Sequence, residues 1–458
     1  MKKTIGSALT LGIAAALIWP ASAWASGGQA IDLTGHFIGY AAVAMFFIAY
    51  VFVMLEEFTH LRKSKPVILA AGIMWALVAY EYLGQDQSHL AEEAVRHNIM
   101  EYAELLLFLL VAMTYVNALE ERQVFNSLKS WLIRKGFSYR KLFWVTGLLA
   151  FFISPVADNL TTALLMCAVI LAVGSESPRF VGISCINIVV AANAGGAFSP
   201  FGDITTLMVW QKGMLGFWDF FALFIPSAVS FLIPAAAMHF AIPNISPSAS
   251  DERINMLPGA KRIMALFLAT IITAVCFHNF LHMPPMLGMM TGLSYLLFFG
   301  YYLKKKNGTG VVAFDIFNKV KRAEWDTLLF FYGVILCVGA LGQIGYLALI
   351  SDAMYTQMGP LFANSMVGIL SAIVDNIPVM FAVLSMNPDM SHGHWLLVTL
   401  TAGIGGSLLS IGSAAGVALM GQARGKYTFF GHLKWTPVIA LGYVAGIAAH
   451  MWINAAYF

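Results

Sequence analysis

The stretch SPVADNLTT, Ser154 to Thr162, places a carboxylate beside an amide inside an otherwise apolar chain. A second stretch, SAIVDNIPV from Ser371 to Val379, repeats the Asp-Asn pair, again behind a serine. The chain has 59% hydrophobic and 11% charged residues and a mean hydropathy of +0.77, whereas about a quarter of a soluble domain is charged. Its solvent is the lipid bilayer. At roughly 20 residues per spanning helix, the 458 residues hold about ten to twelve spans and leave no room for a separate soluble domain. A net charge of +3 gives no ground for a nucleic-acid partner.

Hydropathy and breaker residues predict spans near 36–55, 66–83, 99–120, 180–209, 217–241, 263–282, 284–303, 327–349, 395–420 and 434–456. The apolar regions 141–173 and 359–386 are each interrupted midway by Asp-Asn, and read as hairpins that enter the membrane and turn back. Lys and Arg cluster at Arg62 to Lys65, Lys129 to Lys141, Lys304 to Arg322 and Arg424 to Lys434, which makes these loops cytoplasmic. The loops around Glu92 and Asp389 then fall outside. Residues 1–25 have a basic start, an apolar run and small residues at Ala21, Ala23 and Ala25, the layout of a signal peptide cleaved near Ala23 or Ala25. This puts the mature N-terminus on the outer face of a bacterial-type inner membrane. The amphipathic RQVFNSLKSWLIRKGF, from Arg122, is expected to lie along the cytoplasmic surface.

The chain also resembles itself. EYAELLLFLLVAMTYVNALEERQVF from Glu101 parallels EWDTLLFFYGVILCVGALGQIGYL from Glu324, and each precedes its Asp-Asn hairpin. Further on, GGAFSPFGDITTLMV from Gly195 parallels GGSLLSIGSAAGVAL from Gly405. Matched blocks in one order indicate a repeat, with a first copy at 36–241, a cytoplasmic linker at 242–262 and a second copy at 263–456. The expected fold is an all-α polytopic membrane protein with an inverted-topology repeat of about five spans plus a re-entrant hairpin in each copy, and with broken helices at 180–209 and 395–420. Such repeats characterise secondary transporters, whose binding site lies near the midplane.

A carboxylate within the bilayer costs at least ~2.5–3.5 kcal/mol, so Asp158 and Asp375 are functional candidates. The plainer reading is that each caps the helix that follows it. The glycines and Pro200 free backbone carbonyls that only a cavity tolerates at that depth. Around them stand Asn193, Ser199, Asp203, Thr205 and Thr206 in the first copy, and Ser407, Ser410 and Ser413 in the second. Carboxylate, amide, hydroxyl and carbonyl oxygens, without a thiol or histidine cluster, suit a hard cation. No Lys or Arg occurs in 154–162, 193–206 or 371–413, so an anion would meet uncompensated negative charge. A monovalent cation or a proton would neutralise it. Glu101 and Glu104 share a helical face within a span and offer a further proton or cation route. The four cysteines fit no metal or disulfide pattern, and the histidines lie mostly near span ends.

The paired Asp-Asn hairpins, the two Gly-Gly segments and the signal-like N-terminus together make the chain resemble the NhaD-type sodium/proton antiporters, over nearly all of its length beyond the first thirty residues. The resemblance implies a homodimer that exports sodium or lithium against protons by an elevator-like motion, without a cofactor beyond the transported ions. Residue by residue it marks Asp158, Asn159, Asn193, Asp203, Thr205 and Thr206, with Ser371, Asp375, Asn376, Ser410 and Ser413, as the cation and proton site. Ser413 stands where the first copy has Asp203, so the site should be only pseudo-symmetric. A sodium-coupled dicarboxylate symporter and an arsenite or metalloid permease are the alternatives of similar fold. No nucleophile-and-base constellation supports an enzyme.

Overall fold

A computed structural model describes residues 31–59, 61–174, 176–245, 253–307 and 315–458. The expected signal peptide lies outside the described residues, as does 246–252 of the linker. Every regular element among the described residues is helical. In chain order, α1 (Phe37–Met54), α2 (Ser64–Gly84) and α3 (Ser88–Glu121) lead through α4 (Val124–Arg134) to α5 (Tyr139–Ala157) and α6 (Asn159–Gly174). An interrupted pair follows, α7 (Pro178–Gly196) and α8 (Ile204–Gln211), and then α9 (Phe224–His239). The remainder runs α10 (Ala260–Leu281), α11 (Pro285–Asn307), α12 (Ile316–Lys321), α13 (Trp325–Ile344) and α14 (Tyr346–Ser351). It ends with α15 (Pro360–Ile373), α16 (Asn376–Met386), α17 (His392–Gly405), α18 (Ala414–Gln422) and α19 (Thr436–Ile453).

Ten helices among the described residues are long and apolar enough to cross a membrane. The set differs from the predicted one in two places. Residues 139–157 form one helix of span length, because Pro155 is accommodated and α5 ends only at Asp158, where φ is +58°. Residues 395–420 form the expected broken helix, as α17 and α18 of 14 and 9 residues, and neither half alone is long enough to count as a span. The region 180–209 is likewise divided, with its break after Gly196. The amphipathic segment forms α4, with Val124, Ser130 and Leu132 buried.

The Gly-Gly pairs explain the two breaks. A Cβ on Gly196 would lie 2.9 Å from the carbonyl oxygen of Gly202, and one on Gly406 would lie 2.8 Å from that of Gly412. At both breaks a glycine of the first half-helix therefore receives the backbone of the loop that starts the second. Serines fasten this geometry to the hairpins. Ser154 donates to the carbonyl of Ala192 at 2.7 Å, and Ser371 to that of Ala402 at 2.8 Å.

Packing sorts the helices into two groups. One contains α1, α2, α3, α10, α11, α12 and α13; the other contains α5 to α9 and α15 to α19. The second is built around α7 and α17, which are buried on nearly every face, as apolar helices at the centre of a bundle must be. The groups meet mainly where α13 and α14 pack on α16, with α4 bridging α3 and α6.

Candidate functional site

The four breaks in the second helix group are joined by one chain of side-chain hydrogen bonds. Asp203 caps α8, its Oδ1 accepting from the backbone N–H of Thr205 at 3.1 Å. Its Oδ2 accepts from Asn159 Nδ2 at 2.9 Å and from Asn376 Nδ2 at 2.9 Å. The amides of both Asp-Asn pairs thus converge on a single carboxylate oxygen. Asn159 Nδ2 also donates to Asn193 Oδ1 at 3.1 Å, and Asn193 Nδ2 donates to Ser413 Oγ at 3.1 Å. Ser413 in turn caps α18 through the N–H of Gly416, at 3.3 Å. Asn193, Asp203, Asn376 and Ser413 are all buried.

The two tip aspartates differ. Asp158 accepts from the N–H of Thr161 at 2.8 Å and from its hydroxyl at 2.9 Å, so it caps α6. Asp375 precedes α16 but makes no capping bond. Its Oδ2 lies 3.7 Å from Lys63 Nζ, and its Oδ1 is buried without a hydrogen-bond partner. Thr206 closes a capping box with Asp203, whereas the hydroxyls of Thr205 and Ser410 are buried and unpartnered. The Ser371 hydroxyl is used on Ala402, within the packing rather than on the Asp203 network.

These residues border a cavity between the two helix groups, lined by Asp158, Asn159, Asp203, Asp375 and Asn376 on one wall. The facing wall includes Lys63, Asn117, Arg322 and Glu324. The motif segments themselves contain no cation, but folding brings Lys63 and Arg322 to them from the loops before α2 and α13. In the sequence Lys63 is one of a run of loop cations, and Thr161 one of two adjacent threonines. The spacing Asp158 to Thr161 is a capping signal, but nothing local distinguishes Lys63 from Arg62 or Lys65. Even so, the cavity has four carboxylates against two cations.

Glu101 and Glu104 lie apart from this network and border a second cavity with His97, Met208, Gln211 and Lys212. Glu101 pairs there with Lys212, and with His97 Nε2 at 2.7 Å. Among the described residues no group of His, Cys, Asp and Glu has the form of a resident metal centre.

A family model described as a citrate transporter matches residues 50–403. The chain is 58% identical over 464 aligned positions to the Na(+)/H(+) antiporter NhaD of Alkalimonas amylolytica, covering 96% of each protein. It is 59% identical to the Na(+)/H(+) antiporter NhaD of Vibrio cholerae serotype O1, over 93% of this chain and 94% of that one. Sodium/proton antiporter 1 of Arabidopsis thaliana is 31% identical over 91% of this chain and 73% of its own length.

Proposed function

The chain belongs to the NhaD-type sodium/proton antiporter family, and on that premise we propose that it exchanges cytoplasmic sodium or lithium for external protons. The observation that carries this reading is the convergence of Asn159 and Asn376 on Asp203, beside an Asp375 oxygen that is buried and unpartnered. With both amide nitrogens turned to Asp203, the amide oxygens remain as neutral donors for a cation. Asp375 and Asp203 supply charge that either a sodium ion or a proton can neutralise. Competition for the same oxygens is the physical basis of exchange. Asp158 contributes charge to the cavity wall while its cap holds the first tip in place.

A di- or tricarboxylate is the weaker cargo, because the cavity has an excess of acids. The cavity opens beside Lys63, Arg322 and Glu324, in loops that the distribution of basic residues assigns to the cytoplasm. This conformation is therefore inward-facing. The two halves are inverted repeats, and the group containing both hairpins and both broken helices is the moving part of an elevator-like carrier. Glu101 and Glu104 border the outward route. The protein is a homodimer in a bacterial inner membrane.

Everted vesicles from a host lacking its own antiporters test the proposal. Added sodium should discharge the proton gradient in vesicles bearing the parent protein but not in those bearing Asp375→Asn at equal expression. Parent vesicles that ignore both sodium and lithium would reject it.

A further inference from the structure

We propose that Lys63 is an internal counter-ion that takes the place of the transported cation at Asp375 and competes with it for that carboxylate. The inference rests on the antiport reading and adds a residue from outside the motif segments. Lys63 comes from the loop before α2, whose other cations, Arg62 and Lys65, are exposed. Its own side chain is only 18% exposed, and it is turned into the cavity. Two contacts fix its backbone: its N–H donates to Glu56 Oε1 at 3.4 Å, and the neighbouring Ser64 hydroxyl donates to Asp326 at the start of α13. Nζ lies 4.6 Å from the centre of the Phe330 ring and 3.7 Å from Asp375 Oδ2, so an aromatic face supports the ammonium where water is scarce.

The pairing answers a problem of charge. A buried carboxylate without cargo would be costly, and an ammonium already inside the protein lowers that cost. At 3.7 Å the ammonium is close enough to attract, but it forms no tight hydrogen bond that a sodium ion would have to break. The contact also crosses between the helix groups, because α2 belongs to one and Asp375 to the other. Cargo that displaces Lys63 therefore removes a tie between the groups. This links occupancy of the site to freedom of movement.

Sodium binding to the purified full-length protein, measured with radioactive sodium in detergent, distinguishes the outcomes. If Lys63 holds Asp375 about nine-tenths of the time, removing it should tighten apparent sodium affinity about tenfold, since the competent fraction rises accordingly. Lys63→Met and Lys63→Gln should both show this gain, and Lys63→Arg, which keeps the charge, should stay near the parent. A lysine that serves only to hold the fold would give the opposite, with weaker binding and a lower melting temperature. Unchanged or weaker binding in a folded Lys63→Met or Lys63→Gln protein overturns the inference while leaving antiport intact. Absence of sodium binding by the parent itself would remove the antiport reading and, with it, this one.

Discussion

At Asp203 one carboxylate oxygen accepts from two amides contributed by different halves of the chain. Asp203→Asn can keep the cap on α8, but its new amide nitrogen would face two other amide nitrogens. Each charged hydrogen bond lost is worth about 1.5–3 kcal/mol, so the variant should melt well below the parent in detergent and bind no sodium. The tip aspartates should separate in the same assays. Asp158→Asn retains a capping oxygen for Thr161, so its stability should be nearly that of the parent, with apparent sodium affinity falling before maximal rate. Asp158→Ala loses the cap and about 0.5–2 kcal/mol with it. Asp375→Asn, with no cap to preserve, should fold and fail to exchange. Equal behaviour of the two Asp→Asn variants would contradict the structural difference between the tips. The acids and amides were legible in the sequence because polar residues are costly in lipid wherever they stand. Their division into cap, hub and uncapped, lysine-paired carboxylate was not, because it depends on which tip meets which helix in three dimensions.

Broken helices depend on glycines, and the two Gly-Gly segments were readable for that reason. What the sequence did not show is why the breaks fall at those points. The answer is backbone against backbone: Gly196 on Gly202 and Gly406 on Gly412. A methyl group at either first position would force the loop away, a form of overpacking that costs about 1–3 kcal/mol. Gly196→Ala and Gly406→Ala should each lower the melting temperature and impair exchange. Gly72→Ala makes a control within α2, because nothing lies within 4 Å of a Cβ there; it should melt at or above the parent, since alanine is the better helix former. A control that melts as low as the other two would show that any added methyl group is harmful. The breaks within 141–173 and 395–420 fall where they are expected, but hydropathy, which measures apolar length and not continuity, does not show that 139–157 alone reaches span length or that neither half of 395–420 does. A proline tolerated within α5 and a loop of serines and glycines between α17 and α18 leave little hydropathic trace.

Across the whole molecule the two helix groups enclose the cavity, and ion pairs cross between them at both ends: Lys63 with Asp375, and Glu101 with Lys212. The proposed inverted arrangement makes a topological prediction. On a cysteine-free background, Glu176→Cys should react with impermeant reagents only from the cytoplasm, and Asp389→Cys only from outside; reaction of both from one side would end that arrangement. Helix content and span number were legible from composition, whereas the grouping of helices was not, since it arises from long-range packing that no local pattern encodes. The central claim is that sodium and protons compete for the carboxylates joined at the broken helices. Proton release on adding sodium to the purified protein in weakly buffered detergent solution, followed with a pH indicator, measures that competition without a membrane or a gradient. The account predicts saturable proton release by the parent protein and none by Asp375→Asn, whereas sodium binding by the parent without proton release would contradict it.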